Sequence, residues 1–119
     1  MSSPSHQQPP APAPVPEIAP AEASQLLASS GALLLDVREP DEYAAAHVDG
    51  ARLMPLGQVA TSLGDLPRDS AVVVICRSGR RSAEAVRVLQ QAGFAHPLNL
   101  TGGILAWQAA GLPVVEPTE

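Results

Sequence analysis

The feature that most constrains the fold is an apolar run that leads directly into a helix pattern. Residues 71 to 76 read AVVVIC, and such a continuous, mostly β-branched run is typical of a strand buried on both faces. Residues 81 to 93 read RSAEAVRVLQQAG, which repeats apolar residues at helical spacing and ends in a glycine that can stop a helix. A buried strand followed at once by an amphipathic helix favours a parallel sheet covered by helices.

Strand and helix patterns alternate along the rest of the chain as well. We predict further strands over 32 to 37, 51 to 55 and 96 to 100, and further helices beginning at Pro20 or covering 39 to 47, 56 to 63 and 101 to 111. Together these patterns predict an α/β domain of three layers, with a central, mostly parallel sheet and helices on both faces.

The beginning of the chain differs in composition from the rest. Seven of the 13 prolines fall in the first twenty residues, interleaved with Ala, Ser and Gln, which favours extended and solvated backbone. We predict a disordered arm over 1 to 16, one domain over 17 to 115 and a short tail over 116 to 119. A dispensable extension fits the arm better than a Pro-rich docking ligand, because no clean PxxP repeat with flanking basic residues occurs.

Charge and cysteine content disfavour several classes of function. Seven arginines, no lysine and twelve acidic residues give a net charge of −5, which disfavours nucleic acid as a partner. No apolar run approaches the length of a membrane span, and the N-terminus lacks the basic and apolar regions of a signal peptide. Cys76, the only cysteine, cannot form an internal disulfide, and the three histidines lack the spacing of a zinc site. We therefore expect a cytoplasmic protein without metal, cofactor or membrane partner.

The thiol of Cys76 lies where the predicted strand meets the following helix. Ligands of open parallel α/β sheets bind beyond the carboxyl ends of the strands. Free backbone N–H groups and the helix dipole make such a loop an anion cradle, and they favour the thiolate over the thiol. Arginines oppose the dipole there, so their presence indicates an anionic ligand. The candidate binding residues that follow the nucleophile are Arg77, Ser78, Gly79, Arg80, Arg81 and Ser82.

The loop CRSGRR resembles the active-site loop of single-domain rhodanese-type sulfurtransferases, whose usual pattern is Cys-x-x-Gly-x-Arg. Residues 33 to 51 are similar to the N-terminal signature of this family, and residues 101 to 114 are similar to its C-terminal signature. The matching residues are Cys76, Gly79 and Arg81 in the loop, Asp36, Arg38, Glu42, Tyr43, His47, Gly50 and Ala51 in the first signature, and Gly102, Gly103 and Trp107 in the second.

The resemblance implies a rhodanese-like fold and a sulfurtransferase activity. Cys76 would take sulfane sulfur from thiosulfate or a similar donor as a persulfide, and would pass it to a thiophilic acceptor such as cyanide or a thiol. Arg77 and Arg81 would receive the anionic donor, while Arg80 either helps them or points towards Glu84. An arginine directly after the cysteine favours thiosulfate over mercaptopyruvate.

Other interpretations of the loop compete with this one. A sulfur-carrier or binding module would deliver persulfide sulfur to a protein partner, with little turnover of small molecules. A cysteine phosphatase would need Cys-x5-Arg, but the sixth residue after Cys76 is Ser82, so the shorter ring disfavours phosphate. A catalytically dead rhodanese domain would usually lack the cysteine. A lone buried cysteine would be a small hydrophobe, which leaves the arginines unexplained.

The remaining signature residues have weaker functional claims. Asp36 ends a strand beside that of Cys76 and either pairs with Arg38 or contacts the substrate, so we assign both residues a supporting role. His47 fits a structural histidine better than a general base. Packing is the predicted role of the three aromatic residues, Tyr43, Phe94 and Trp107.

Overall fold

The computed structural model of the chain describes residues 14 to 117. Within that range, five strands form a single sheet in which every neighbouring pair is parallel. The strands are β1 (Glu17–Ile18), β2 (Leu33–Asp36), β3 (Arg52–Leu53), β4 (Ala71–Ile75) and β5 (His96–Leu100). Their order across the sheet is β1-β5-β4-β2-β3, so β4, which leads to Cys76, lies at the centre.

Helices connect these strands on both sides of the sheet. The α-helices are α1 (Pro20–Ser30), α2 (Pro40–Ala45), α3 (Leu56–Val59), α4 (Arg80–Gln91) and α5 (Gly103–Ala109), and a 3-10 turn covers Leu63–Asp65. None of the helices between residues 14 and 117 is both long and apolar enough to cross a membrane.

The side chains of β4 alternate between two separate cores. Val72 and Val74 join one core with residues of α3 and α4, whereas Val73 and Ile75 join the other with residues of α1 and α5. All four side chains are fully buried, because helices cover both faces of the sheet. This arrangement confirms the predicted three-layer α/β fold with a parallel sheet.

One predicted helix is divided in the structure, and one observed strand was not predicted. The helix predicted over 56 to 63 ends at Val59, and the chain continues into the separate 3-10 turn. Leu56 and Leu63 still pack against the same core, so burial rather than a continuous helix produced the apolar spacing. The edge strand β1 was not predicted, because two residues are too few to show a strand pattern.

The predicted arm falls partly outside the described residues. Residues 1 to 13 lie outside them, and so do the last two residues of the predicted tail. The end of the arm contacts the domain, since Val15 packs against the core beside α3 and α4, and the carbonyl of Pro16 accepts a hydrogen bond from the N–H of Asn99 at 2.8 Å. The boundaries of arm and tail stay predictions.

Candidate active site

Cys76 is the first residue after β4, at the carboxyl end of the central strand. Its side chain is 1% exposed, and its sulfur lies beneath the loop that leads to α4. Gly79 closes this loop with a φ of 104°, a left-handed conformation that suits glycine, and α4 begins at the next residue. The sharp turn therefore brings the N-terminus of α4 onto the sulfur.

Hydrogen-bond donors surround the sulfur of Cys76. The N–H of Gly79 donates to Sγ at 3.0 Å, and Oγ of Ser82 lies 3.3 Å from Sγ. Burial raises the pKa of the thiol, but the Ser82 hydroxyl and the backbone N–H groups of Ser82, Gly79 and Ser78 together outweigh burial and hold the pKa below its ordinary value. The loop thus favours a nucleophilic thiolate.

The N-terminus of α5 holds the same loop from the other side. The N–H groups of Ile104 and Leu105 donate to the carbonyls of Cys76 and Arg77, at 2.8 and 3.2 Å. A Cβ at Gly103 would lie 2.5 Å from the carbonyl oxygen of Cys76, so only glycine allows this approach. Because α5 binds these carbonyls, they point away from the sulfur.

Arg81, one of the two arginines expected to receive an anionic donor, forms a bidentate ion pair with a carboxylate of α2. Its Nη1 and Nη2 donate to Oε1 and Oε2 of Glu42 at 2.7 and 2.9 Å. Arg81 lowers the pKa of Glu42 from 4.5 to about 2, and Glu42 raises the pKa of Arg81 in return. The partner of Arg81 was not predicted, since Glu42 was only a residue of the first signature.

The other two arginines of the loop line an open cavity at the start of α4. Both are exposed, and within residues 14 to 117 no carboxylate is hydrogen-bonded to Arg77 or Arg80. The cavity has a volume of about 330 Å³, which is ample for a small anion. Its lining consists of Arg77, Ser78, Arg80, Arg81 and Glu84.

Asp36 and Arg38 form a buried ion pair beside the loop. The Nη2 of Arg38 donates to Oδ2 of Asp36 at 2.8 Å, and the side chains of Arg38 and Asp36 are 5% and 1% exposed. Arg38 also donates to the carbonyls of Glu42 and Ala46, at 3.3 and 2.7 Å, and so fixes α2. The pair therefore supports the helix that presents Glu42 to Arg81.

The aromatic residues and His47 have structural contacts. Nδ1 of His47 lies 2.9 Å from the carbonyl of Tyr43, and the two rings stack with centroids 3.9 Å apart. The indole N–H of Trp107 donates to the carbonyl of Pro113 at 2.9 Å, and Phe94 is buried in the core beside α4. These contacts agree with the predicted packing roles.

Sequence reasoning also missed Asn99 of β5. This buried amide contacts both Gly79 and Ser82, the two residues that contact the sulfur of Cys76. The only sign of it in the sequence is one polar residue between the apolar neighbours of a short strand. Among the residues that the structure describes, no group of three or more His, Cys, Asp or Glu side chains could hold a metal ion.

Several known proteins are similar to this chain in sequence and in fold. The family model for the rhodanese-like domain matches residues 19 to 110. A sulfurtransferase from Allochromatium vinosum is 42% identical over 95 residues, which cover 79% of this chain and 89% of that protein. A thiosulfate sulfurtransferase, GlpE, from Pseudomonas putida is 33% identical, and the match covers 77% of this chain and 84% of GlpE.

Two further proteins extend the comparison. A putative sulfur carrier protein, YrkF, from Bacillus subtilis is 37% identical over 78% of this chain, but the match spans only 51% of YrkF. The solution structure of a rhodanese-like domain from an Anabaena protein superposes with a TM-score of 0.78 at 28% identity, covering 86% of this chain and 80% of that one. By fold, by family model and by its sulfurtransferase relatives, this chain belongs to the rhodanese-like domain family.

Proposed function

We propose that the protein is a sulfurtransferase that takes sulfane sulfur from thiosulfate onto Cys76. The observation that carries this proposal is a thiol whose pKa is lowered by hydrogen bonds from its loop, together with the arginines of the same loop, which line an open cavity. Thiosulfate is a small dianion, so its charge suits such a cavity. The relative GlpE, named a thiosulfate sulfurtransferase, supports this choice of donor.

The reaction proceeds as two displacements at sulfur. The Cys76 thiolate attacks the outer sulfur of thiosulfate, a new S–S bond forms, and sulfite leaves with the electron pair of the broken S–S bond. Cyanide or a thiol then attacks the outer sulfur of the persulfide, and Cys76 leaves as the thiolate. The N–H groups of Ser78, Gly79 and Ser82 stabilise the negative charge at both stages. The proposed reaction needs no oxidant and no cofactor.

Arg77 and Arg80 bind the sulfonate end of the donor in this proposal. The charge of Arg81 is engaged by Glu42, whereas Arg77 and Arg80 have no hydrogen-bonded carboxylate in the described part of the chain. Charge-assisted hydrogen bonds from these two guanidinium groups to the donor anion contribute about 1.5 to 3 kcal/mol each. Arg81 acts as a neighbouring charge that keeps the loop and α2 together.

Steady-state turnover of Arg77→Ala tests the proposal. We expect the KM for thiosulfate to rise about tenfold or more, with a much smaller loss in the rate of sulfur release to cyanide, because Arg77 contacts the donor and not the acceptor. Arg87→Ala is the matched control, since Arg87 is an exposed arginine of α4 outside the cavity. Equal KM values in the two variants would refute donor binding by Arg77.

A sulfur-carrier role is the second candidate. The relative YrkF, named a putative sulfur carrier, and the exposed Leu105 beside the loop favour a protein acceptor. Leu105 is 44% exposed, and its N–H donates to the carbonyl of Arg77. Persulfide-loaded protein that keeps its sulfur in the presence of cyanide and small thiols would favour the carrier role. Rapid release to cyanide would favour the enzyme.

The arm and the cellular location belong to the same proposal. The reaction needs a reduced Cys76, which fits the cytoplasm better than an oxidising compartment. Removal of residues 1 to 13, which keeps the contacts of Val15 and Pro16 with the domain, tests whether the arm serves a protein acceptor. Unchanged thiosulfate turnover with weaker transfer to a protein acceptor would give the arm a docking role, and unchanged values for both would make it dispensable.

A further inference from the structure

A buried chain of hydrogen bonds lies behind the Cys76 loop and is not used by the proposed mechanism. Ser82 Oγ, which lies 3.3 Å from Cys76 Sγ, donates to Oδ1 of Asn99 at 2.5 Å. Nδ2 of Asn99 donates to the carbonyl of Gly79 at 3.1 Å and to Oε2 of Glu17 at 3.4 Å. Ser82 and Asn99 are 0% and 3% exposed, so water does not replace the hydrogen bond between them.

The amide of Asn99 has one permitted orientation. The carbonyl of Gly79 and the carboxylate of Glu17 can only accept hydrogen bonds, so both require Nδ2 on their side. A flipped amide would place Oδ1 against two acceptors. Glu17 is itself held by the hydroxyl of Thr101, which donates to Oε1 at 2.8 Å. Oδ1 of Asn99 therefore faces Ser82.

The hydroxyl of Ser82 has a single proton and two acceptors beside it. The hydroxyl lowers the pKa of Cys76 only while it donates to the sulfur. While Oδ1 of Asn99 takes this proton instead, Ser82 presents lone pairs to the sulfur, which suits a protonated thiol. A thiolate attracts the same proton. If the hydroxyl turns to the thiolate, the buried Oδ1 loses its donor, and an unsatisfied buried acceptor is costly. The two acceptors thus compete.

We propose that Asn99 is a positioning residue that holds the Ser82 proton away from the sulfur and so keeps Cys76 more protonated than its loop alone would. Asn99 does not contact the sulfur and acts through Ser82. The inference rests on the proposed role of Cys76 as nucleophile, and it adds control over how much of that nucleophile is ionised.

Replacement of Asn99 leaves the number of charged groups around Cys76 unchanged, because Asn99 is neutral. The loop and the first turn of α4 carry Arg77, Arg80 and Arg81, and Glu42 of α2 pairs with Arg81. The ion pair of Asp36 and Arg38 follows β2, and Glu17 belongs to β1. A change in the ionisation of Cys76 on substitution of Asn99 therefore reports on the hydroxyl proton.

Titration of the Cys76 thiolate by its ultraviolet absorbance, in a double-mutant cycle, tests the proposal. We expect Asn99→Ala to lower the pKa of Cys76 by about one unit, a tenfold change, because the Ser82 hydroxyl becomes available to the thiolate. In a Ser82→Ala background the same substitution has no hydroxyl to release, so the pKa should not change between Ser82→Ala and the double variant.

Other outcomes would overturn the proposal. An unchanged or raised pKa in Asn99→Ala would do so, and so would an equal shift in both backgrounds, which indicates a general effect on the loop. Asn99→Val serves as a second variant, because a β-branched residue suits β5 and also lacks the acceptor. Thr61→Val is the control, because the hydroxyl of Thr61 donates to the carbonyl of Gln58 and to no residue of this network, and it should leave the pKa unchanged.

The titration does not depend on sulfur transfer. It reads the ionisation of Cys76 directly, in protein to which no sulfur donor has been added. Failure of the wild-type protein to accept sulfur from thiosulfate would refute the proposed function and leave the coupling of Asn99 to Cys76 as measured.

Discussion

The helices α4 and α5 begin in the same way, but their N-termini contact the Cys76 loop differently. Each helix follows a left-handed glycine without a side-chain cap, Gly79 with a φ of 104° and Gly102 with a φ of 77°. The N–H groups at the start of α4 turn to the sulfur of Cys76, whereas those of α5 bind the carbonyls of Cys76 and Arg77. One helix end is left open for a reacting group, and the other holds the backbone that presents it.

This difference explains how a buried cysteine can favour its ionised form. Donors alone would not suffice, because the carbonyls of a tight loop would also approach the sulfur and disfavour its negative charge. By binding two of these carbonyls, α5 leaves mainly N–H groups on the sulfur side. The two helix ends together explain why the pKa of Cys76 is lowered although burial opposes ionisation.

The largest expected effect comes from filling the contact between α5 and the loop. Gly103→Ala places a Cβ 2.5 Å from the carbonyl oxygen of Cys76, so we expect the free energy of unfolding to fall by about 1 to 3 kcal/mol more than in the control. The control is Gly111→Ala, which has a similar positive φ but no atom within 4 Å of the added Cβ. Urea denaturation measures the difference. Equal losses would show that α5 does not hold the loop tightly.

A smaller loss of stability is expected at Gly79, at the N-terminus of α4 that faces the sulfur. A Cβ at Gly79 would meet its nearest atom at 3.4 Å, an ordinary contact, so Gly79→Ala carries mainly the strain of its positive φ, about 1 to 2 kcal/mol. Relief of that strain moves the N–H of Gly79 away from Cys76 and raises the pKa of the thiol. Iodoacetamide alkylation near neutral pH should therefore slow.

Gly50→Ala is the matched control for this substitution. Gly50 has a φ of 83°, and no atom lies within 4 Å of the added Cβ. The substitution therefore adds the same kind of backbone strain without a contact to the Cys76 loop. We expect a similar loss of stability and an unchanged alkylation rate. Equal alkylation rates for Gly79→Ala and Gly50→Ala would show that the N–H of Gly79 does not lower the pKa of Cys76.

The smallest effect on stability is expected from the ion pair beside α4. Glu42→Gln removes a partly exposed pair with Arg81, which contributes about 0 to 1 kcal/mol. It also frees the charge of Arg81 for an anion, so the KM for thiosulfate should fall. Glu84→Gln removes one negative charge at the same cavity without touching that pair, and it should change the KM less. Equal effects would indicate general electrostatics.

The same carboxylate sets a pH dependence of known sign. The pKa of Glu42 is lowered from 4.5 to about 2 in the folded protein. Between these pH values the carboxyl group therefore binds fewer protons in the folded protein than in the unfolded chain. Its stabilising contribution is fully present above about pH 4.5 and is lost as the pH falls towards 2. The stability difference between wild type and Glu42→Gln should shrink over this interval in acid denaturation.

The fold and the centre of the site follow from local patterns in the sequence. The β4 run and the α4 periodicity placed Cys76 at the carboxyl end of a buried strand, and Gly79 at the turn. Such features depend on neighbours in the chain, which a pattern can show. The family signatures drew attention to Gly103, although only the structure shows which backbone atoms a side chain there would strike.

The partners of the site could not be predicted, because they are distant in the chain. Glu42 lies 39 positions before Arg81, and the pair depends on how Arg38 fixes α2. Asn99 lies 17 positions after Ser82, on the strand beside β4. Nothing in the spacing of these residues shows that they meet. The sequence accordingly assigned Arg81 to the donor, while the structure pairs it with Glu42.

The most direct test of the account is the intact mass of the protein after incubation with thiosulfate. We predict the gain of one sulfur atom, its loss on addition of cyanide with formation of thiocyanate, and no gain in Cys76→Ser. An unchanged mass of the wild-type protein with thiosulfate, or a sulfur that is still gained by Cys76→Ser, would contradict the claim that the two helix ends prepare Cys76 to carry sulfur.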